Sequence, residues 1–175
     1  RGTYTDPARR SRFFDDYLAR VRAMPGVERA SLISYLPIRN SGNNIGVWDP
    51  SSPPADASEV RLAYQRIVKP GYFETMGIPI LRGRDVQPTD VAEAPPVILI
   101  DEAIAATLFP DRDPIGQQVA VDMGGDQGTR FEVVGVVGAV RPSSLAGDPD
   151  WVMYFSYEQR PANTMRLAVR TDVTQ

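Results

Sequence analysis

Cysteine and histidine are both missing from the 175 residues. Without cysteine there is no disulfide, no thiolate zinc site and no thiol nucleophile. That suits a reducing compartment, and equally an extracytoplasmic one where a stray thiol is a liability. The lack of histidine excludes more: the commonest general base, the Ser-His-Asp triad and the commonest metal ligand all go with it. An enzyme made from this chain would have to work with carboxylates, lysine or tyrosine. An excess of positive charge is missing too. A net charge of −3 argues against a nucleic-acid or anionic-membrane surface. The densest basic cluster, Arg9, Arg10 and Arg12, falls on an amphipathic helix and reads as a solvated face. Long apolar runs are absent: none approaches the roughly 20 residues of a membrane span, and we read no signal peptide in the opening residues. The chain opens on Arg1 rather than Met, which we read as the mark of a fragment of something longer.

What is present is ordinary for a globular protein, with 42% hydrophobic and 23% charged residues. The length suits one substantial domain or two small lobes. One stretch organises the rest: Val68–Arg84, V-K-P-G-Y-F-E-T-M-G-I-P-I-L-R-G-R. Val68 closes a strand-like run and Pro70-Gly71 ends it. Tyr72, Phe73 and Met76 put three large apolar side chains within about a turn of helix. Gly77 reads as a helix C-cap, and Ile78–Leu81 as extended chain, since the residue before Pro avoids the helical region. The stretch is a hinge between a front and a middle part of different character.

Ahead of it, Thr5-Asp6-Pro7 starts a helix whose apolar stripe is Phe14, Tyr17, Leu18 and Val21. Met24-Pro25-Gly26 stops that helix, and Val27–Leu36 follows as a strand with Ala30, Leu32 and Leu36 on one side. Residues Pro37–Ser58 form a long polar loop holding a short edge strand at Ile45–Trp48. Alternation of Val60, Leu62, Tyr64 and Val68 predicts a strand over Glu59–Lys69. After the hinge, Val97–Ile100 is a strand buried on both faces, and Asp101 caps a helix over Glu102–Phe109. Asp111–Gly116 is a turn. Val119–Met123 and Arg130–Val140 make a hairpin across Gly124–Gly128. Trp151, Met153, Phe155 and Tyr157 share one strand face, as do Met165, Leu167 and Val169. From Asp172 a further helix is expected to start. The order predicts an α+β fold with two lobes.

Each candidate for chemistry has a plainer reading. Asp111-Arg112-Asp113 has carboxylates two apart, as calcium loops do, but lacks the bidentate acid such loops need and reads as a turn. Gly124–Gly128 precedes a strand, not the helix a phosphate loop requires. Gly135 and Gly138 within a strand pattern suggest a bulge or close backbone approach. Arg82, Arg84 and Asp85 read as salt-bridging that holds the hinge rather than as an anion grip. Nothing brings Glu74 and Asp85 to the separation a catalytic carboxylate pair requires. Taken alone, the residues specify a non-catalytic α+β domain.

Several segments carry a family resemblance: P-G-V-E-x-A at Pro25–Ala30, L-P-I at Leu36–Ile38, and the hinge extended to Asp85. So do L-F-P-D-R-D-P-I-G-Q-Q-V at Leu108–Val119, V-V-G-V-V-G-A-V-R at Val133–Arg141 and L-A-V-R-T at Leu167–Thr171. In this order they resemble the MacB-like periplasmic core domain of MacB/FtsX-type ABC transporter permeases, nearest to the duplicated orphan permease type. The chain departs from that pattern at Asp101, where the family often has Asn. It also stops where the family continues with a helix and a strand.

The resemblance implies a porter-like α/β lobe from residues 1–76 plus 160–175, possible truncation at its C-terminal end included. Residues 77–159 would then form an inserted β-rich lobe with one helix. It implies a place on the periplasmic face of the inner membrane, between the first two transmembrane helices of the permease. The domain would be no enzyme and hold no cofactor. It would transmit conformational change while a separate cytoplasmic ATPase subunit or domain uses ATP. Expected partners are the permease's transmembrane helices, an ATPase subunit, and a periplasmic adaptor or second permease copy; nucleic acid is not among them. Tyr72, Phe73, Met76, Pro79 and Arg82 are the expected hinge-packing residues, and Pro37–Ser58 the contact surface. The runner-up is a soluble periplasmic module binding a small ligand or peptide between its lobes in an apolar cleft. A hydrolase using carboxylates is the third reading.

Overall fold

Every residue of Val97–Asp101 (β5) is buried, as a continuous apolar run covered on both faces requires. The computed structural model describes residues 7–36, 43–124, 127–140 and 151–172. β5 runs parallel to Thr129–Val137 (β7) and antiparallel to Val152–Ser156 (β8). On its other side β8 lies parallel to Arg61–Val68 (β3). Beyond β7 come Gln118–Val121 (β6) and then Asn44–Trp48 (β2). Because β2 also pairs with β3, these strands close into a six-membered ring, β2-β6-β7-β5-β8-β3. The C-terminal end of β3 meets Val27–Ile33 (β1), which pairs in turn with Arg166–Thr171 (β9). Ile80–Gly83 (β4) pairs with β7. Three helices complete the order: Pro7–Arg22 (α1), Tyr72–Met76 (α2) and Glu102–Leu108 (α3).

Side-chain alternation sorts the core into layers. Each ring strand sends a side chain inward, among them Val47, Ala63, Ile98, Val119, Val133 and Phe155, and Ile104 of α3 plugs the space. The opposite faces of β5 and β8 present Leu99 and Tyr154 to Ile33, Val68, Tyr72 and Phe73, beside α2. Leu18 and Val21 of α1 cover Ala30 and Leu32 of β1. The registers Ile33–Val68 and Ile67–Phe155 therefore put α1 and α3 over one face of the sheet and α2 over the other.

The α+β composition is as expected, and so is the β6–β7 hairpin. Several local expectations are corrected. β2 is no edge strand: it has neighbours on both sides, and Val47 is buried inside the ring. β1 ends at Ile33, where Ser34 turns its N–H to Ile67 O, and Leu36 is exposed. β3 starts at Arg61 after a short 3-10 turn at Ala57–Glu59, and its Leu62 points outward while Ala63 fills the ring. On α1, Tyr17 is exposed and stacks on Phe13 with ring centroids 6.3 Å apart. Phe14 packs inward, edge-on to Tyr157 at 5.6 Å. Val169 is exposed because α1 covers only Met165 and Leu167 along the outer strand. The stretches 1–76 plus 160–175 and 77–159 share hydrogen bonds across β3–β8 and β2–β6. The Asp6 cap, Pro37–Gly42, Gly125-Asp126 and the helix expected after Asp172 lie outside the described residues.

Asp101 performs the capping expected of it and more. Its Oδ1 accepts from Ile104 N and its Oδ2 from Val152 N, both at 2.8 Å, so one carboxylate joins α3 to the start of β8. Burial pushes its pKa up to about 6, against backbone hydrogen bonds that pull it down. A carboxyl whose folded pKa lies above its unfolded value favours folding below the unfolded pKa and loses that contribution as pH rises. Unfolding free energy is therefore expected to fall by about 3 kcal/mol between the ordinary carboxylate pKa and about pH 6. Urea melts across this range test it: Asp101→Asn should lack that slope, and an unchanged slope would contradict the assignment.

Candidate functional site

The chain leaves β3 through Lys69-Pro70-Gly71, forms the single turn α2, and returns along β4. Local rules explain the path. Thr75 Oγ1 and Thr75 N both reach Gly71 O, at 2.7 and 3.0 Å, closing the turn. Gly77 adopts φ 70°, and Ile78 N reaches back to Phe73 O at 2.9 Å, an ending that disfavours any residue with a Cβ. Gly83 also lies at positive φ, and a Cβ there would stand 2.1 Å from Val134 O. Tyr72 and Phe73 are fully buried. Phe73 meets the Tyr154 ring edge-on at 4.9 Å, and Tyr72 meets Phe73 at 5.5 Å.

Charged groups fasten this junction from three sides. Lys69 is 2% exposed. Its Nζ lies 2.6 Å from Asp15 of α1 and 2.5 Å from Glu158, just past β8, above the Tyr157 ring. Ser11 donates to the second oxygen of Glu158 at 2.9 Å. Asp85, after β4, accepts from Gly71 N at 2.9 Å and Val86 N at 2.7 Å. Burial raises the Asp85 pKa, opposed by those hydrogen bonds. Arg84 holds Asp90 through two bonds of 2.8 and 2.9 Å. Desolvation, the largest single effect on Asp90, raises its pKa, yet the Arg84 and Gln87 hydrogen bonds leave it lowered overall. Burial pushes the Tyr72 hydroxyl up to about 12 and that of Tyr154 further.

Of the predicted packing residues, Tyr72 and Phe73 come together in the core. Met76, Pro79 and Arg82 do not join them: all three are exposed. A single-turn helix has one buried side, taken by Tyr72, Phe73 and Thr75, which leaves Met76 outside. Pro79 O accepts from Gly138 N at 2.9 Å, and Arg82 lies 3.3 Å from the exposed Asp113. Lys69 and Asp90 were missed as functional positions. Partners 54 and 89 residues away leave no local trace of Lys69's role. A lysine set between a strand end and Pro-Gly was the available hint.

The catalytic readings find little geometry. Glu74 pairs with Arg29 at 2.9 Å, while Asp85 serves backbone N–H groups. Asp113 accepts from Ile115 N at 3.1 Å within its turn, and Arg112 pairs with Asp49. Among the described residues no three acidic side chains gather as metal ligands would. Around the junction these side chains pack and fasten, and the Ser11 hydroxyl is held between Glu158 and Lys69 as part of that fastening.

A family model described as MacB-like periplasmic core domain matches residues 2–174. Among solved structures, the chain is similar to the periplasmic region of MacB from Actinobacillus actinomycetemcomitans, with TM-score 0.60 and 15% identity. That match covers 91% of this chain and 66% of the MacB region, so the chain spans just under two thirds of its length. It is also similar to the extracellular domain of the noncanonic ABC-type transporter YknZ from Gram-positive bacteria. There the TM-score is 0.57 and the identity 16%, covering 92% of this chain and 74% of that one. No curated protein matches.

Two stability measurements check the junction. Lys69→Met should cost about 2 kcal/mol by stranding the half-buried Glu158, whereas Asp15→Asn, at a side chain 58% exposed, should cost under about 0.5 kcal/mol. The buried Tyr72 hydroxyl has no hydrogen-bond partner among the described residues. Tyr72→Phe should therefore be neutral or stabilising by up to about 1 kcal/mol, and Tyr72→Ala should cost about 3–5 kcal/mol. A loss on Tyr72→Phe as large as on Tyr72→Ala would contradict this packing.

Proposed function

The chain belongs to the MacB-like periplasmic core domain family, and on that premise we propose that it serves an ABC transporter permease as a stiff, non-catalytic transmitter outside the membrane. The observation that supports this reading most is the continuity of the sheet across β3–β8, locked by Tyr72, Phe73, Tyr154 and Lys69. A close-packed core with few voids passes a displacement on rather than absorbing it. On this reading residues 1–76 plus 160–175 form the porter-like lobe and 77–159 the β-rich lobe, moving as one body. ATP is used by a separate cytoplasmic ATPase subunit or domain, and the permease is of the duplicated orphan type.

Contact with an adaptor or a second permease copy falls to the loop after β2. There Trp48, Pro50, Pro53 and Pro54 border an open groove of about 590 Å³. The alternative of a module closing on an apolar ligand draws no support from the junction, which Tyr72, Phe73 and Tyr154 already fill.

The hydropathy profile of the full reading frame tests the proposal. We expect an apolar span of roughly 20 residues upstream and several downstream, with a second similar domain beyond them. Polar flanks on both sides would sink the transporter reading.

A further inference from the structure

A second cleft lies where β1, β3 and β9 end together, away from the junction and the Trp48 groove. It encloses about 410 Å³, and its lining is polar: Ser34, Asn43, Gln65, Asn163, Thr164 and Arg166, with the ring of Tyr35. A volume of this order suits a small ligand or the end of a chain. Local hydrogen bonds build its floor. Ser34 Oγ accepts from Ile67 N at 2.9 Å, Gln65 N donates to Asn43 O at 3.2 Å, and Arg166 Nη1 donates to Ser34 O.

Two features of this floor are unsatisfied from within. First, the Oε1 end of the Gln65 amide is buried and has no hydrogen-bond partner among the described residues. Whichever way the amide is turned, one buried polar atom is left over, at a cost a ligand would relieve. Second, Arg166 brings a positive charge into the lining, and the buried Arg66 stands nearby on the opposite face of β3 from Gln65. Arg166 sits 5.0 Å from the centroid of the Tyr35 ring and Arg66 5.8 Å from it. Neither guanidinium forms an ion pair among the described residues, and Arg66 does without one although it is buried. Arg66 is 5% exposed and among the described residues donates to Gln65 O, at 3.1 Å. In a chain of net charge −3, two cations at one aromatic ring without an acid among the described residues mark a place that favours an anion.

We propose that this cleft binds an α-carboxylate with its adjoining N–H, the chemistry of a peptide C-terminus. Arg166 takes the carboxylate in its planar fork, with Arg66 behind Tyr35 adding to the field. The Gln65 amide oxygen accepts the N–H, and Asn163 and Thr164 line the exit. The inference rests on this cleft alone and stands whether or not the chain serves a transporter.

Titrations of the protein followed by amide NMR shifts test it, using trialanine, N-acetylalanine and the C-terminal amide of each. We expect saturable shifts around Ser34, Gln65 and Arg166 with the free acids, and binding at least about tenfold weaker with the amides. Equal binding of both acids assigns the site to any α-carboxylate; binding of trialanine alone assigns it to peptide ends. Arg166→Gln should lower acid binding by at least about tenfold, while Arg166→Lys, which keeps the charge, should retain more of it. Thermal melts of both variants show whether they fold. Amides binding as well as acids, no saturable shift at millimolar trialanine, or full binding by a folded Arg166→Gln would each overturn the proposal.

Discussion

The parallel pairing of β3 with β8 is the contact on which the rest of the structure depends. Five residue pairs, from Tyr64–Val152 to Val68–Ser156, join the part of the chain that comes before α2 to the part that comes after. The same β3 uses its other edge twice. Its first half pairs with β2 and closes the ring; its last residue pairs with β1 and begins the layered sheet. One strand thus belongs to both halves. A parallel pair needs a long crossover, and here the connection passes through α2, β4, β5, α3, β6 and β7. The polypeptide that makes the crossover is itself the wall of the ring.

Lys69 follows directly from that arrangement. It is the first residue past β3, and the ends of β3 and β8 run side by side, so its ammonium meets Glu158 just past β8. α1, lying across the same face, supplies Asp15. Such a buried ammonium is weak evidence for stability by itself, but it is specific: any slip of β3 against β8 would separate the charges. Tyr72 and Phe73 do the matching apolar work on the opposite face, against Tyr154.

Local patterns made much of this legible. The continuous run at Val97–Ile100, the Asp101 cap, the glycine-bounded hairpin and the turn of helix at Tyr72–Met76 all rest on short-range chemistry, and all are present. Burial was harder to read where it depends on neighbours far along the chain. Leu62 and Val169 fit a period of two, yet both are exposed: Ala63 takes the inward place in the ring, and Val169 lies beyond the Met165 and Leu167 that α1 covers. β2 looked like an edge because its five residues sit in a polar loop; its second neighbour, β6, is more than 70 positions away. The partners of Lys69 and the walls of the Tyr35 cleft were hidden for the same reason, being far apart in sequence, whereas Asp90 finds Arg84 and Gln87 only six and three residues away. The sheet brings the Lys69 partners and the cleft walls together; the Arg84–Asp90 pair is local.

On the proposed transmitter reading, the two halves of the domain would move as one body when an attached transporter cycles. Spin labels at Arg20→Cys on α1 and Asp111→Cys after α3, both exposed positions, would measure it in the intact transporter, with no native cysteine in this chain to compete. Pulsed electron paramagnetic resonance should give one distance distribution between the labels, unchanged by ATP, while each label shifts relative to the membrane. A distribution between the labels that moves or splits on ATP addition would mean that the junction bends, and the rigid-transmitter account would be wrong.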